Sequence, residues 1–167
     1  GDFRNWLLLY ETDTDTLKSV AAGITPEMAA AVSKIMRNQD LILAAGKTEI
    51  ITRFRTTIGL KGRLSTRLQP NHPTDDPRGI MVSVLDGLLN GAGDAVIGIN
   101  PVSDDTRSAA ELLKLLDDFR ERYEIPAQSC ILTHITNTLK MIENKGPVDI
   151  VFQSIAGTER ANTGFGI

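Results

Sequence analysis

The chain from Gly62 onward alternates between short apolar runs and longer amphipathic stretches. Four runs have the length and apolar content of β-strands and lie near residues 63–69, 95–100, 129–134 and 149–154. The 95–100 run, AVIGIN, is almost wholly apolar, which is typical of a strand covered on both faces. Between the runs, apolar residues recur every three or four positions, which predicts helices over 75–90, 105–123 and 136–144.

This alternation predicts an α/β fold. Right-handed crossovers would place the strands parallel, with the helices on one side of the sheet. Four such units, spaced by roughly 30 residues, make half of a TIM-type (β/α)8 barrel. We therefore predict a half-barrel over 61–167, although a small open α/β sheet also fits the pattern. The last predicted strand ends at Ser154, and the sequence after it predicts no covering helix, so we expect the chain to be part of a larger protein.

The segment 1–60 predicts an N-terminal arm followed by a helical part. Trp6 to Tyr10 is a short apolar run, which we interpret as part of a packed arm. Thr25-Pro26-Glu27 opens a helix, because it offers a capping hydroxyl, a proline suited to the first turn and an acidic side chain near the helix N-terminus. Asn38 is a predicted break, and 40–45 a further helical piece. The 50–58 stretch fits either a strand or an extended loop.

Composition narrows the class of protein without identifying a function. A chain of 167 residues suits one domain, and its net charge of -3 gives no reason to expect nucleic acid as a partner. Cys130 is the only cysteine, so no internal disulfide can form and a reducing compartment is expected. No apolar run approaches the roughly 20 residues of a membrane span, and the first residues do not resemble a signal peptide. We expect a soluble, cytosolic protein.

Polar side chains occur where the predicted strands end. They are Arg67, Gln69, Asn100, His134, Gln153 and Ser154. Alternate residues of a strand share a face, so Arg67 and Gln69 are expected to point the same way. The carboxyl ends of parallel strands meet at one edge, where α/β sheets and barrels bind ligands. Because the polar positions repeat with the fold, the set indicates a site more strongly than any member does.

Three of these residues also have a structural interpretation. Arg67 could form an ion pair with Asp75 or Asp76, and Asn100, which precedes a proline, could simply open a turn. His134 is better interpreted as a helix-capping or hydrogen-bonded structural histidine than as a ligand. The role of His72 stays open.

The sequence lacks the motifs of several common reaction chemistries. The sequence has no Gly-x-Gly-x-x-Gly after a strand and no phosphate loop, and its two histidines and one cysteine are too far apart to form a zinc motif. Ser154 does not lie in a Gly-x-Ser-x-Gly setting. Guanidinium and amide groups suit the binding of a small polar substrate by hydrogen bonds better than proton transfer.

Five stretches together resemble the large, catalytic subunit of ethanolamine ammonia-lyase. They are TTIGLKGRLSTRLQPNHPTDD (56–76), GAGDAVIGINPVSDD (91–105), EIPAQSCILTH (124–134), PVDIVFQSIAGTE (147–159) and GFG (164–166). These stretches are much longer and more specific than a single short motif. The resemblance runs from about residue 25 to the end of the chain and is loose before that.

The resemblance implies a β/α barrel that converts 2-aminoethanol to acetaldehyde and ammonia by a radical mechanism, with adenosylcobalamin as cofactor. It implies that Arg67 and Gln69 contact the substrate and the radical intermediates, that Asn100 contacts substrate and cofactor, that Phe165 lies by the substrate pocket and that Ser154 lies nearer the cofactor. It also implies a small partner subunit, a hetero-oligomer, and a cytoplasmic location, either free or inside a bacterial microcompartment.

The chain departs from this family in length. Family subunits are more than twice as long, and their substrate-binding carboxylates come from the second half of the barrel. Two hypotheses follow: the chain is part of the lyase, or it is a catalytically incomplete half-barrel that serves in binding or assembly. An unrelated open-sheet domain is a third alternative.

Overall fold

The computed structural model describes residues 1–154 and 157–163. These residues belong to two compact units, one formed by residues 51–153 and the other by residues 1–50 together with the residues from 154 onward. The helices are α1 (Asp2–Leu8), α2 (Thr14–Val20), a 3-10 turn (Ala21–Gly23), α3 (Pro26–Lys34), α4 (Asn38–Lys47), α5 (Pro77–Leu89), α6 (Thr106–Arg122), α7 (Ile135–Glu143) and α8 (Glu159–Asn162). The strands are β1 (Thr52–Arg53), β2 (Thr57–Ile58), β3 (Arg67–Leu68), β4 (Val96–Ile99), β5 (Gln128–Leu132) and β6 (Ile150–Phe152). None of the described helices is long and apolar enough to span a bilayer.

Strands β3 to β6 form one sheet in sequential order, and all three neighbouring pairs are parallel. This confirms the predicted α/β fold with a parallel sheet. Gly98 of β4 lies opposite Cys130 of β5, which in turn lies opposite Ile150 of β6. Within this sheet β3 and β6 are the edge strands.

The first strand of this sheet is much shorter than predicted, because its amino-terminal part is tied to a loop. The backbone N–H of Thr66 donates to the Asp94 carboxylate at 2.7 Å, and the Thr66 hydroxyl donates to the same oxygen. Residues 63–65 are exposed, and Leu64 is 99% exposed, so packing does not hold this part of the chain against the sheet. Only Arg67 and Leu68 pair with β4.

The hydrophobic core lies between one face of the sheet and helices α5, α6 and α7. Its fully buried strand residues are Ile97, Ile99 and Ile131, and its helical residues include Ile80, Val84, Ala109, Leu112, Leu113, Leu116 and Met141. The apolar stripes predicted from the sequence are Ile80, Met81, Val84, Leu85 and Leu88 on α5 and Ala109, Leu112, Leu113, Leu116 and Phe119 on α6. All of these residues pack in or against this core except Leu85, which is half exposed. The opposite face of the sheet carries Arg67, Gly98 and Cys130, because they alternate with the core residues.

A short antiparallel pair, β1 and β2, precedes this sheet and contacts its amino-terminal end. The turn between them places Thr56 beside the buried Gln128 of β5. Gln128 Oε1 accepts from the Thr56 backbone N–H at 2.7 Å, and Gln128 Nε2 donates to the Ala95 carbonyl. The ambiguous 50–58 stretch is therefore a hairpin whose turn satisfies a buried amide.

A cluster of charged groups, in which the side chains of Asp149 and Arg120 are buried, lies next to this hairpin. Arg55 donates to both oxygens of Asp149, at 2.9 and 3.1 Å, and the backbone N–H of Ser129 donates to the same carboxylate at 2.9 Å. Arg120, which is 2% exposed, pairs with Asp117 and lies 3.9 Å from Asp149. The cluster joins the hairpin, helix α6 and the start of β6.

The unit that contains residues 1–50 is more helical than predicted. The segment 1–24 contains α1, α2 and a 3-10 turn, where the sequence indicated only a packed arm. The helix predicted from the Thr25-Pro26-Glu27 signal is α3, and Thr25 Oγ1 accepts from the Met28 N–H at 3.3 Å. The predicted break lies at residues 35–37, and Asn38 itself is the first residue of α4, which contains the predicted helical piece 40–45. Asp40 caps α4 by accepting from the Arg37 N–H at 3.0 Å.

Asp40 should make this unit sensitive to acid. Side-chain hydrogen bonds from Arg37 and then Arg4 hold the pKa of Asp40 well below its ordinary value of 3.8. A lowered pKa in the folded state stabilises the fold above the ordinary aspartate pKa, and that stabilisation is lost as the pH falls through the folded-state value. We expect Asp40→Asn to lower the urea midpoint at neutral pH, and we expect the difference from the unmodified chain to shrink below pH 3.8.

Fluorescence of Trp6, the only tryptophan, reports on this unit and provides the measurement. Asp15→Asn, which changes an exposed carboxylate of α2, serves as the control for charge alone. A midpoint difference that is the same at neutral and acidic pH would show that the ionised carboxylate of Asp40 does not stabilise the unit.

Candidate active site

The Arg67 side chain extends from β3 across the face of the sheet that is opposite the helices. Its Nη2 donates to Asn100 Oδ1 at 3.3 Å, and its Nη1 lies 3.9 Å from Cys130 Sγ on β5. Its Cζ lies 5.1 Å from the centre of the Phe152 ring on β6. One guanidinium therefore contacts residues from all three of the other strands in the sheet or directly after them.

All of these contacts of Arg67 are to uncharged groups. Among the described residues, no carboxylate oxygen lies within 4.0 Å of Arg67. The ion pair with Asp75 or Asp76 is not formed: Asp75 accepts from the Val102 N–H at 2.9 Å, and Asp76 caps α5. Arg67 is half buried, and a half-buried cation without a counter-charge attracts a ligand with acceptor atoms.

Asn100 and Gln69, the other two predicted substrate contacts at these strand ends, differ in burial and in hydrogen bonding. Asn100 follows β4 directly, is half buried, and its backbone N–H donates to Asn71 Oδ1 at 3.0 Å. Its side-chain carbonyl faces Arg67, so it does more than open a turn. Gln69 follows β3 directly and is exposed, and its amide makes no hydrogen bond to the residues described by the structure.

Both histidines have structural roles. His72 Nδ1 accepts from the Asp76 N–H at 3.3 Å, and its ring lies against Gly79, where a Cβ would come within 3.0 Å of it. His134 caps α7 by accepting from the Thr136 N–H at 3.3 Å. The helix-capping interpretation of His134 is confirmed.

The loops that follow the strands are joined to one another along the carboxyl edge. Side chains of Asn71 and Asp75, after β3, accept from backbone N–H groups of residues 100, 102 and 103, after β4. Asn137, after β5, donates to the Asp104 carbonyl at 3.1 Å, and Gln153, after β6, accepts from the Ile135 N–H at 2.9 Å. We call this set of contacts the rim ties.

Cys130 lies beneath the Arg67 guanidinium and is almost fully buried. Burial raises the pKa of its thiol, and the nearby charge of Arg67 only partly opposes that effect. The thiol therefore stays protonated at neutral pH and acts as a neutral contact rather than a nucleophile.

Two predicted site residues cannot be joined to this group. Ser154 lies two residues after β6 and belongs to the compact unit that contains residues 1–50. Phe165 lies outside the described residues. Their roles stay predictions.

Comparison of the sequence with known proteins shows the family to which this chain belongs. Residues 1–167 match the model of the ethanolamine ammonia-lyase large-subunit family. The chain belongs to this family. It is 40% identical over 167 residues to the ethanolamine ammonia-lyase large subunits of Escherichia coli strain K12 and of Salmonella typhimurium strain LT2. These matches cover 100% of this chain and 37% of each relative. The similarity thus includes the segment 1–24, where the stretches recognised in the sequence gave only a loose match.

The ammonia-lyase resemblance did not reveal the residues that surround the Arg67 guanidinium. Gly98, Cys130 and Phe152 each occur inside an apolar run, and the sequence alone does not distinguish them from ordinary strand residues. The signal that could have found them is the register: in a parallel sheet they share a face with Arg67. Asn71 and Asp75 were likewise missed, because their partners are backbone groups of another loop.

Proposed function

We propose that this chain supplies the first four β/α units of the barrel of an adenosylcobalamin-dependent ethanolamine ammonia-lyase, which converts 2-aminoethanol to acetaldehyde and ammonia. The observation that carries the proposal is the Arg67 guanidinium at the carboxyl edge of the sheet, which bonds to Asn100 and has no carboxylate partner within 4.0 Å among the described residues. Family membership and the parallel order of β3 to β6 support it.

The chemistry of the three polar side chains assigns them different contacts with 2-aminoethanol. A guanidinium is only a donor, so Arg67 would donate to the substrate hydroxyl oxygen. Asn100 Oδ1 is an acceptor and would take a hydrogen bond from the amine. Gln69 can do either, and its exposed amide is available to the ligand. Contacts of this kind hold both ends of the molecule while its bonds rearrange.

The same groups fit the proposed cofactor. When bound, adenosylcobalamin supplies the radical chemistry. It presents amides and ribose hydroxyls, and the amides of Gln69 and Asn100 are suitable partners for such groups. We assign Asn100 and Ser154 to holding it, and Phe165 to lining the substrate pocket.

An assembly with further protein would complete this site. The ammonium form of 2-aminoethanol is repelled by Arg67, so a carboxylate has to lie nearby to bind it. We propose that this carboxylate comes from the second half of the barrel. Among the described residues no strand pairs with the outer edges of β3 and β6, and such edges favour cover by additional strands. The small subunit of the lyase is the proposed partner in a hetero-oligomer.

Turnover provides the test. The native gene product that carries these residues, assembled with the small subunit and adenosylcobalamin, is expected to release acetaldehyde and ammonia from 2-aminoethanol. The 167-residue chain alone should release neither, because its described residues place no carboxylate beside Arg67. If the assembled protein is folded and binds the cofactor but gives no product, the chain is better described as a binding or assembly module.

A further inference from the structure

The surroundings of the Arg67 guanidinium suggest how its position is fixed. It lies over the backbone of Gly98 and beside Cys130 Sγ, with the Phe152 ring 5.1 Å from its Cζ. We call Gly98, Cys130 and Phe152 the guanidinium seat. We infer that Gly98 and Phe152 are positioning residues, which hold the Arg67 guanidinium in place for the substrate. This inference rests on the proposed function.

Gly98 is required for space rather than for backbone conformation. It is not among the glycines with a positive φ, so its backbone would accept other residues. A Cβ at this position, however, would lie within 3.0 Å of Cζ, Nη1 and Nη2 of Arg67. The glycine therefore forms a gap in the surface of β4, across which the arginine side chain can lie flat and reach β5.

Gly98→Ala would act on Arg67 and not on the core. The atoms that the new methyl group would meet are the far end of a flexible side chain, which can swing away without moving the backbone. The substitution should therefore displace the guanidinium and leave the fold intact. This makes position 98 a selective means of disturbing the seat.

Phe152 provides the aromatic contact of the guanidinium. It lies on the edge strand β6 and is 42% exposed, so only part of its ring contributes to packing. Its distance from Cζ is suited to a cation–π interaction, which attracts the cation through the ring quadrupole and adds no negative charge. A carboxylate in the same place would neutralise Arg67, whereas an aromatic ring positions it and leaves its charge available to a ligand.

The inference can be tested with Gly98→Ala, Phe152→Leu and Phe152→Tyr in the native gene product, assembled with the small subunit and adenosylcobalamin. Crystal structures should show a displaced Arg67 guanidinium in Gly98→Ala and Phe152→Leu. Loss of a contact of this size should lower kcat/KM for 2-aminoethanol by about fivefold or more, mainly through KM. Phe152→Tyr keeps the aromatic ring, so its kcat/KM should lie much closer to that of the unmodified protein than the kcat/KM of Phe152→Leu. The melting temperatures of the variants should not change.

Gly46→Ala is the matched control, since a Cβ there meets nothing within 4 Å; it should leave turnover unchanged. The inference is overturned if Arg67 keeps its position in both Gly98→Ala and Phe152→Leu, or if it moves without any change in kcat/KM. If the unmodified protein turns over no 2-aminoethanol, the proposed function fails. The crystal structures of the variants still decide whether the seat holds the guanidinium.

Discussion

Arg67→Ala is expected to lower kcat/KM for 2-aminoethanol by at least about tenfold in the assembled enzyme, because a hydrogen bond to a charged group contributes about 1.5–3 kcal/mol. The guanidinium bonds to Asn100 Oδ1 and lies on neutral groups, so its removal breaks no ion pair that stabilises the fold. The melting temperature should therefore stay close to that of the unmodified protein. Steady-state kinetics and thermal unfolding on the same samples provide the measurement.

Two further substitutions refine this expectation. Asn100→Ala removes a neutral amide and should reduce kcat/KM less than Arg67→Ala does. Arg67→Lys keeps the charge but loses the planar fork, so it should recover only part of the loss. Normal turnover together with a lowered melting temperature in Arg67→Ala would show that the residue supports the structure and not the reaction.

Asp149→Ala is expected to lower the free energy of unfolding by about 1.5–3 kcal/mol, because it removes hydrogen bonds to a charged group. The carboxylate accepts hydrogen bonds from Arg55 and from the Ser129 N–H, and it lies 3.9 Å from Arg120. Its removal would leave the Arg120 guanidinium, which is 2% exposed, with Asp117 as its remaining anionic partner. Urea unfolding of the purified chain, followed by circular dichroism, measures the change.

An exposed ion pair provides the control for this prediction. Asp118 pairs with Lys114 at 2.8 Å on the outer surface of α6, where solvent screens the charges, so Asp118→Ala should cause little change. If Asp149→Ala lowered the free energy of unfolding no more than Asp118→Ala does, the charged cluster around Asp149 would not be essential to the stability of the sheet.

The stabilisation of the fold by Asp149 should also depend on pH. Burial acts to raise the pKa of this carboxyl, but hydrogen bonds from Arg55 and Ser129 and the charge of Arg120 outweigh it, so the pKa lies below the ordinary value of 3.8. The stabilisation is thus present above pH 3.8 and lost as the pH falls through the lowered pKa. The difference between Asp149→Ala and the unmodified chain should accordingly diminish in acid.

The elements that could be predicted from the sequence are those with a strong local pattern. Helix α6 is an example: its apolar stripe repeats over 17 residues and an aspartate caps it, so pattern and cap agree. Strand β4 was predicted because nearly all its residues are apolar. By contrast, most of the predicted 63–69 strand is not paired, because Thr66 bonds to the side chain of Asp94, 28 residues away.

The candidate site shows the same division. Arg67, Gln69 and Asn100 could be predicted as candidates because polar residues at strand ends are unusual, and the structure brings Arg67 and Asn100 into contact. The residues that surround the Arg67 guanidinium could not be predicted. The contact of Gly98 with Arg67, for example, depends on the direction in which the arginine side chain extends from another strand. Such a relation between distant residues has no local signal in the sequence.

The rim ties have a consequence for the entropy of ligand binding. Loops that carry a binding site usually lose conformational freedom when the ligand arrives, and this loss reduces affinity. Here backbone groups of the loops after β4 and β5 are already held by Asn71, Asp75 and Gln153 of neighbouring loops. Much of that freedom is therefore lost when the chain folds. A ligand that binds at the proposed site would then retain more of the free energy of its few hydrogen bonds.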